Sequence, residues 1–204
     1  MPRARTVAVL LLVLTVGQLA VATFVPTLPQ FEGKAFGSRL VAYPVLMLLL
    51  PAVFALARRR SRPGSPDPLP WAAFAWVMVP FLVDVTGNTF DLYDTVTWWD
   101  DANHFVNWFF LSLGCGLLLA AGGVAPRWAL GLCVAGLGAL LAIGWELGEW
   151  FTFIRHGTEL DTAYTDTLGD EVLGCLGAAV AALVVIMQKR PVPAPGEPTA
   201  DVSA

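Results

Sequence analysis

The chain has 204 residues, of which 56% are hydrophobic and 14% charged, with a mean hydropathy of +0.66. Soluble domains carry about 45–50% apolar and about 25% charged residues; a core of this length cannot absorb the difference, whereas a bilayer can. That excess and the net charge of −4 exclude a nucleic-acid binder, a disulfide scaffold and a disordered chain.

Six apolar stretches are long enough, or nearly so, to cross ~30 Å of hydrocarbon as helices. They are Thr6–Val25, Leu40–Ala57, Trp71–Val85, Ala102–Gly122, Trp128–Phe153 and Gly169–Gln188. The first is read as an uncleaved helix. Its basic start and Ala20-Val21-Ala22 also resemble a secretory signal with its cleavage site, and the orientation from Leu40 onward is the same on either reading. The third is the shortest and is interrupted by Pro80 and Asp84. No window alternates as a membrane β-strand requires. The expected fold is an all-α transmembrane bundle of about six spans over residues 1–189. The Arg58–Pro70 connector is rich in Arg and Pro, and the Pro- and Ala-rich tail, 190–204, reads as disordered.

Basic residues set the orientation. With the N-terminus inside, Arg3, Arg5, Arg58, Arg59, Arg60, Arg62, Arg127, Lys189 and Arg190 are cytoplasmic, nine of the 12 basic residues. This bias predicts both termini in the cytoplasm. Thirteen of the 16 acidic residues then crowd the outer end of the bundle. Insertion does not explain that, because Asp and Glu contribute little to topology.

The fourth segment opens Asp100-Asp101-Ala102-Asn103-His104-Phe105. Asp101 and His104 are three apart and share a helix face, and either aspartate is a reasonable N-cap. The fifth ends Gly144-Trp145-Glu146-Leu147-Gly148-Glu149-Trp150. Glu146 lies roughly 10 Å below the Phe153 end at ~1.5 Å rise per residue, a depth at which a carboxylate is costly unless paired, protonated or bound to an ion. Trp145 and Trp150 read as interfacial anchors. The sixth opens with Asp166 as a capping residue and Asp170 one turn in, and its Gly174, Gly177 and Ala178 form a stripe suited to close contact with another helix. Asp84 and Asn88 approach the same end from the third segment. His104 is the one cation expected at the depth of Glu146, since Arg155 lies beyond the helix end. Cys115, Cys133 and Cys175 have no partner at motif spacing and read as small packing residues.

These positions place Asp101, His104, Glu146, Glu149 and Asp170 at similar depth on three helices. Unbound, so many carboxylates repel and some must be protonated. A divalent cation resolves the conflict with hard oxygen donors and one imidazole, and Zn2+, Mn2+ and Mg2+ all suit the set. Familiar hydrolases are disfavoured, since neither G-x-S-x-G nor HExxH occurs. His156 reads as a solvated loop residue beside Arg155.

Together, Asp101-x-x-His104-Phe105, Trp145-Glu146-Leu147-x-Glu149-Trp150 and Asp166-Thr167-x-x-Asp170 with Gly177-Ala178 resemble the signature of the YjdF-like bacterial inner-membrane proteins. More loosely, they resemble that of the VanZ-like proteins. The resemblance covers about Phe90 to Ala179 and implies a helical membrane fold with no assigned reaction. Three functions follow as expectations. The first is a multi-pass protein of the bacterial cell membrane with an acidic, divalent-metal-binding pocket at its outer face, meeting membrane lipids or a headgroup. The second is a metal-assisted hydrolase or transferase on a lipid-linked substrate, with Glu146 or Glu149 as base and Asp101, His104 and Asp170 as ligands. The third is an ion- or proton-coupled transporter, disfavoured by an inner half almost free of ionisable groups.

Overall fold

The computed structural model describes residues 2–25, 27–31, 34–61, 69–152, 154–156, 160 and 162–188. Within them lie six helices long and apolar enough to cross a membrane: α1 (Pro2–Phe24), α2 (Phe36–Ser61), α3 (Trp71–Thr89), α5 (Trp99–Ala121), α6 (Arg127–Thr152) and α7 (Ala163–Met187), with a one-turn helix α4 (Leu92–Thr95) between α3 and α5. No strand occurs among the described residues. Tail residues 190–204, connector residues 62–68 and the side chain of His156 lie outside the described set.

Three expected boundaries move in a way that matters. α3 continues through Pro80 and Asp84 to Thr89, because neighbouring helices and polar partners compensate a helix interior that water cannot reach. α7 begins at Ala163, with Thr162 at its N-cap; Asp166 is therefore not the cap. In α5 the N-cap is Trp98, and Asp100 and Asp101 fall inside the first turn, where the helix dipole favours acids.

α5 lies against both α3 and α7; α1 flanks α3, α2 lies on α1, and α6 packs on α7 and α5. Small residues make the crossings close, since packing rather than apolar burial holds helices together in lipid. A Cβ on Gly177 would collide with the Phe105 carbonyl oxygen, one on Gly114 with the Ala73 carbonyl oxygen, and one on Gly138 with Ala178 and Ser112. The Gly174/Gly177/Ala178 stripe thus faces α5 and α6. Away from the acidic end, Leu113, Leu130, Val134, Ala181 and Val185 close the interior between α5, α6 and α7. Leu19 and Ala22 of α1 pack with Phe31, Phe36, Tyr43 and Val85. Of the cysteines, Cys115 is buried, but Cys133 and Cys175 are exposed on the outside of the bundle and are not contact residues.

Candidate functional site

The alternation of spans brings the C-terminal ends of α3 and α6 together with the N-terminal ends of α2, α5 and α7. At their centre is His104, on the second turn of α5. Its Nδ1 lies 3.0 Å from Asp170 Oδ1 and its Nε2 lies 3.4 Å from Glu146 Oε1. Asp100, one turn earlier, places its carbonyl oxygen 3.1 Å and its carboxylate 3.6 Å from Nδ1. His104, Glu146 and Asp170 are only 7%, 6% and 4% exposed, so water contributes little to satisfying them. Ligand atoms of Asp100, His104 and Asp170 lie within 4.8 Å of one another, and so do those of His104, Glu146 and Glu149. One imidazole is shared by two carboxylate pairs. With both ring nitrogens protonated, an N–H would face a carboxylate oxygen on each side, and a cation replacing either proton would meet an imidazole nitrogen and two hard oxygens.

A second network adjoins the first. Asp84 accepts from Arg39 Nη1 at 3.1 Å and from the hydroxyls of Tyr43 at 2.6 Å and Tyr93 at 2.9 Å. Asn103 donates to the Tyr93 hydroxyl, and Asn107 donates to Asn103 Oδ1 at 2.8 Å. Asn88 donates to the Asp84 carbonyl at 3.0 Å. This chain of donors ties α2, α3 and α4 to α5, the helix that carries His104. Beyond the spans, Lys34 bonds Asp94, and that hydrogen bond holds the Asp94 carboxyl below the usual carboxylate range. Both networks line one cavity of about 780 Å³, whose deeper wall is Pro80, Phe81, Trp108, Leu111 and Trp145.

The structure brings His104, Glu146, Glu149 and Asp170 together. It does not bring Asp101 to them: Asp101 is exposed and borders a shallow depression with Asp166 and Gly169. Asp100 occupies the position against His104 instead, because α5 turns the face through Asp100, His104 and Trp108 inward. Asp84 and Asn88 belong to the second network, and Asp166 is at the cavity rim. His104 is not the only cation at this level, since Arg39 reaches the same cavity on a side chain 17% exposed. Trp145 lines the cavity rather than standing as a surface anchor, while Trp150 is 41% exposed. Arg39, Tyr43, Tyr93, Asn103 and Asn107 were not anticipated. The spacing of Arg39 and Tyr43, and of Asn103 and Asn107, at i and i+4 in otherwise apolar helices is the signal that marks them.

A family model described as a predicted membrane protein (DUF2238) matches residues 6–191. The chain belongs to that family. The DUF2238 match takes in the six long helices apart from the first residues of α1, and every side chain of both networks, and this DUF2238 protein is an integral membrane protein. No curated protein and no solved structure matches the chain.

Proposed function

We propose that this protein, in a bacterial cell membrane and of the YjdF-like kind within its family, holds a divalent cation at the outer end of its bundle. His104 supplies the nitrogen, and Glu146, Glu149, Asp100 and Asp170 supply the oxygens. The observation that carries the reading is the sharing of His104 between two carboxylate pairs drawn from three helices. Glu146 and Asp170 are buried and Glu149 and Asp100 partly exposed, and four carboxylates so close around one imidazole repel one another unless protons or a cation intervene. Asp84, Asn88 and Asp166 act as surrounding support. The oxygen-rich set suits Mn2+ or Mg2+, and the imidazole also admits Zn2+.

A metal-assisted hydrolase or transferase is the second reading, because the cavity of about 780 Å³ far exceeds what an ion needs. In that case the carboxylate of Glu149 or Glu146 left outside the metal's shell takes a proton from water. Transport is less favoured, since ionisable side chains are almost absent from the other half of the bundle.

Metal analysis of the purified full chain, stripped with EDTA and reloaded with Mn2+ or Zn2+, tests the site. The wild type should retain stoichiometric metal, and His104→Ala and Glu146→Ala should lose it. Glu146→Gln should raise the melting temperature of the stripped protein by relieving repulsion while weakening divalent affinity by about tenfold or more. Equal metal content in the wild type and both alanine variants would end the reading.

A further inference from the structure

We propose that the basic end of the bundle, opposite the His104 cluster, binds an anionic phospholipid where α1 meets α3. The guanidinium of Arg5 would hold the lipid phosphate, Arg3 and Arg59 would add charge around it, and the acyl chains would lie along the outward faces of α1 and α2. This goes beyond the cation site and does not depend on it.

Three observations converge. The first is the uneven spread of charge. Helix orientation calls for an excess of Lys and Arg at one end, but not for its concentration in one corner of that end. Six of the nine basic residues expected there, Arg3, Arg5, Arg58, Arg59, Arg60 and Arg62, belong to the start of α1 and the end of α2, two helices that lie against each other. Neither helix contains Asp or Glu, and Asp67 in the connector offsets one charge of the six. Arg3, Arg5 and Arg59 are exposed, and among the described residues none of them forms an ion pair. The balancing anions therefore come from outside the chain, and four or more basic residues beside a span suit anionic lipid.

The second is the placing of Arg5. Its guanidinium lies over Trp71, 5.8 Å from the ring centre. Trp71 meets Phe74 edge to face at 5.8 Å, and Phe74 meets Phe54 of α2 in the same way at 5.9 Å. A stacked guanidinium keeps its N–H edge for paired hydrogen bonds to phosphate, and it loses less freedom on binding than a loose side chain does. α3 starts at this point with no side-chain cap and no acid in its first turn, so its dipole supports negative charge beside Arg5.

The third is the apolar flank. Within two turns of these arginines, Val7 and Leu10 of α1 and Val53 and Leu56 of α2 are exposed. A phosphate carried on a glycerolipid gains from the arginines and from this flank together, whereas a soluble phosphate gains from the arginines alone.

Titration of the full-length protein in detergent, read by native mass spectrometry, tests this with dioleoylphosphatidylglycerol, dioleoylphosphatidylcholine and glycerol 3-phosphate. Phosphatidylglycerol should bind about tenfold or more tighter than either of the others. Arg5→Gln should weaken it about fivefold, and Trp71→Leu should weaken it in the same direction. Arg127→Gln is the control: it removes the same charge from the same end, at the start of α6 and away from α1, and should leave the affinity within about twofold. Phosphatidylcholine binding as tightly as phosphatidylglycerol in the wild type would overturn the anionic site without recourse to a variant. Glycerol 3-phosphate binding as tightly would overturn the lipid in favour of a soluble phosphate. Equal losses from Arg5→Gln and Arg127→Gln would reduce the site to the diffuse field of a basic face and refute it.

Discussion

Asp84 is enclosed with Arg39, at side-chain exposures of 13% and 17%, and two tyrosine hydroxyls complete its shell. Removing one member of such a pair costs more than removing both, because the survivor keeps its charge in a poor solvent. Arg39→Met should therefore destabilise the detergent-solubilised protein by about 3–5 kcal/mol, and Arg39→Met with Asp84→Leu should recover part of that loss. Thermal unfolding of both variants checks this; a double variant no more stable than the single one would show that the pair is not what holds these helices. This residue-level pairing was only half legible in the sequence. Asp84 stands out as a carboxylate inside an apolar run, but its partner lies on another helix, 45 positions earlier, and only helix rotation brings the two together. The exchange of Asp101 for Asp100 has the same origin. Neighbours on a helix differ by about 100° in direction, and the inward face is decided by the packing of Gly177 against the backbone of α5, which spacing alone does not encode.

Elements were more legible than side-chain directions. Hydropathy is a local property, so all six spans are visible in the chain, and their ends shift most where polar residues continue the helix past the apolar run, as at Thr86 to Thr89 and from Ala163 to Leu168. The small-residue stripe was legible as well, since glycines in a membrane helix have few uses other than close approach. Gly177→Leu should consequently destabilise the bundle by about 1–3 kcal/mol or more through overpacking, with Ala179→Leu on the exposed flank of α7 as the reference. Ala182 is a poor reference, since it is itself 5% exposed and packs between helices. Comparable melting temperatures for the two variants would mean that α5 and α7 are not held at this crossing.

For the whole molecule, the distribution of arginines predicts that the acidic end lies outside, and fusions test that directly. Alkaline phosphatase joined after Thr97 should be active and after Gly123 inactive, with fluorescent-protein fusions giving the reverse; like signals at both positions would refute the orientation. The apolar packing of Leu113, Val134, Ala181 and Val185 then acquires an electrical meaning. A membrane potential falls across the part of the protein that neither water nor ions enter, and each elementary charge carried through it exchanges about 2.3 kcal/mol per 100 mV. In this bundle that insulating layer lies beneath His104, so on the expected orientation the cavity would share the potential of the outer solution. The proposed cation, entering and leaving by the acidic mouth, would then cross little of the field, and its occupancy would follow the composition of the outer medium instead of the energised state of the cell.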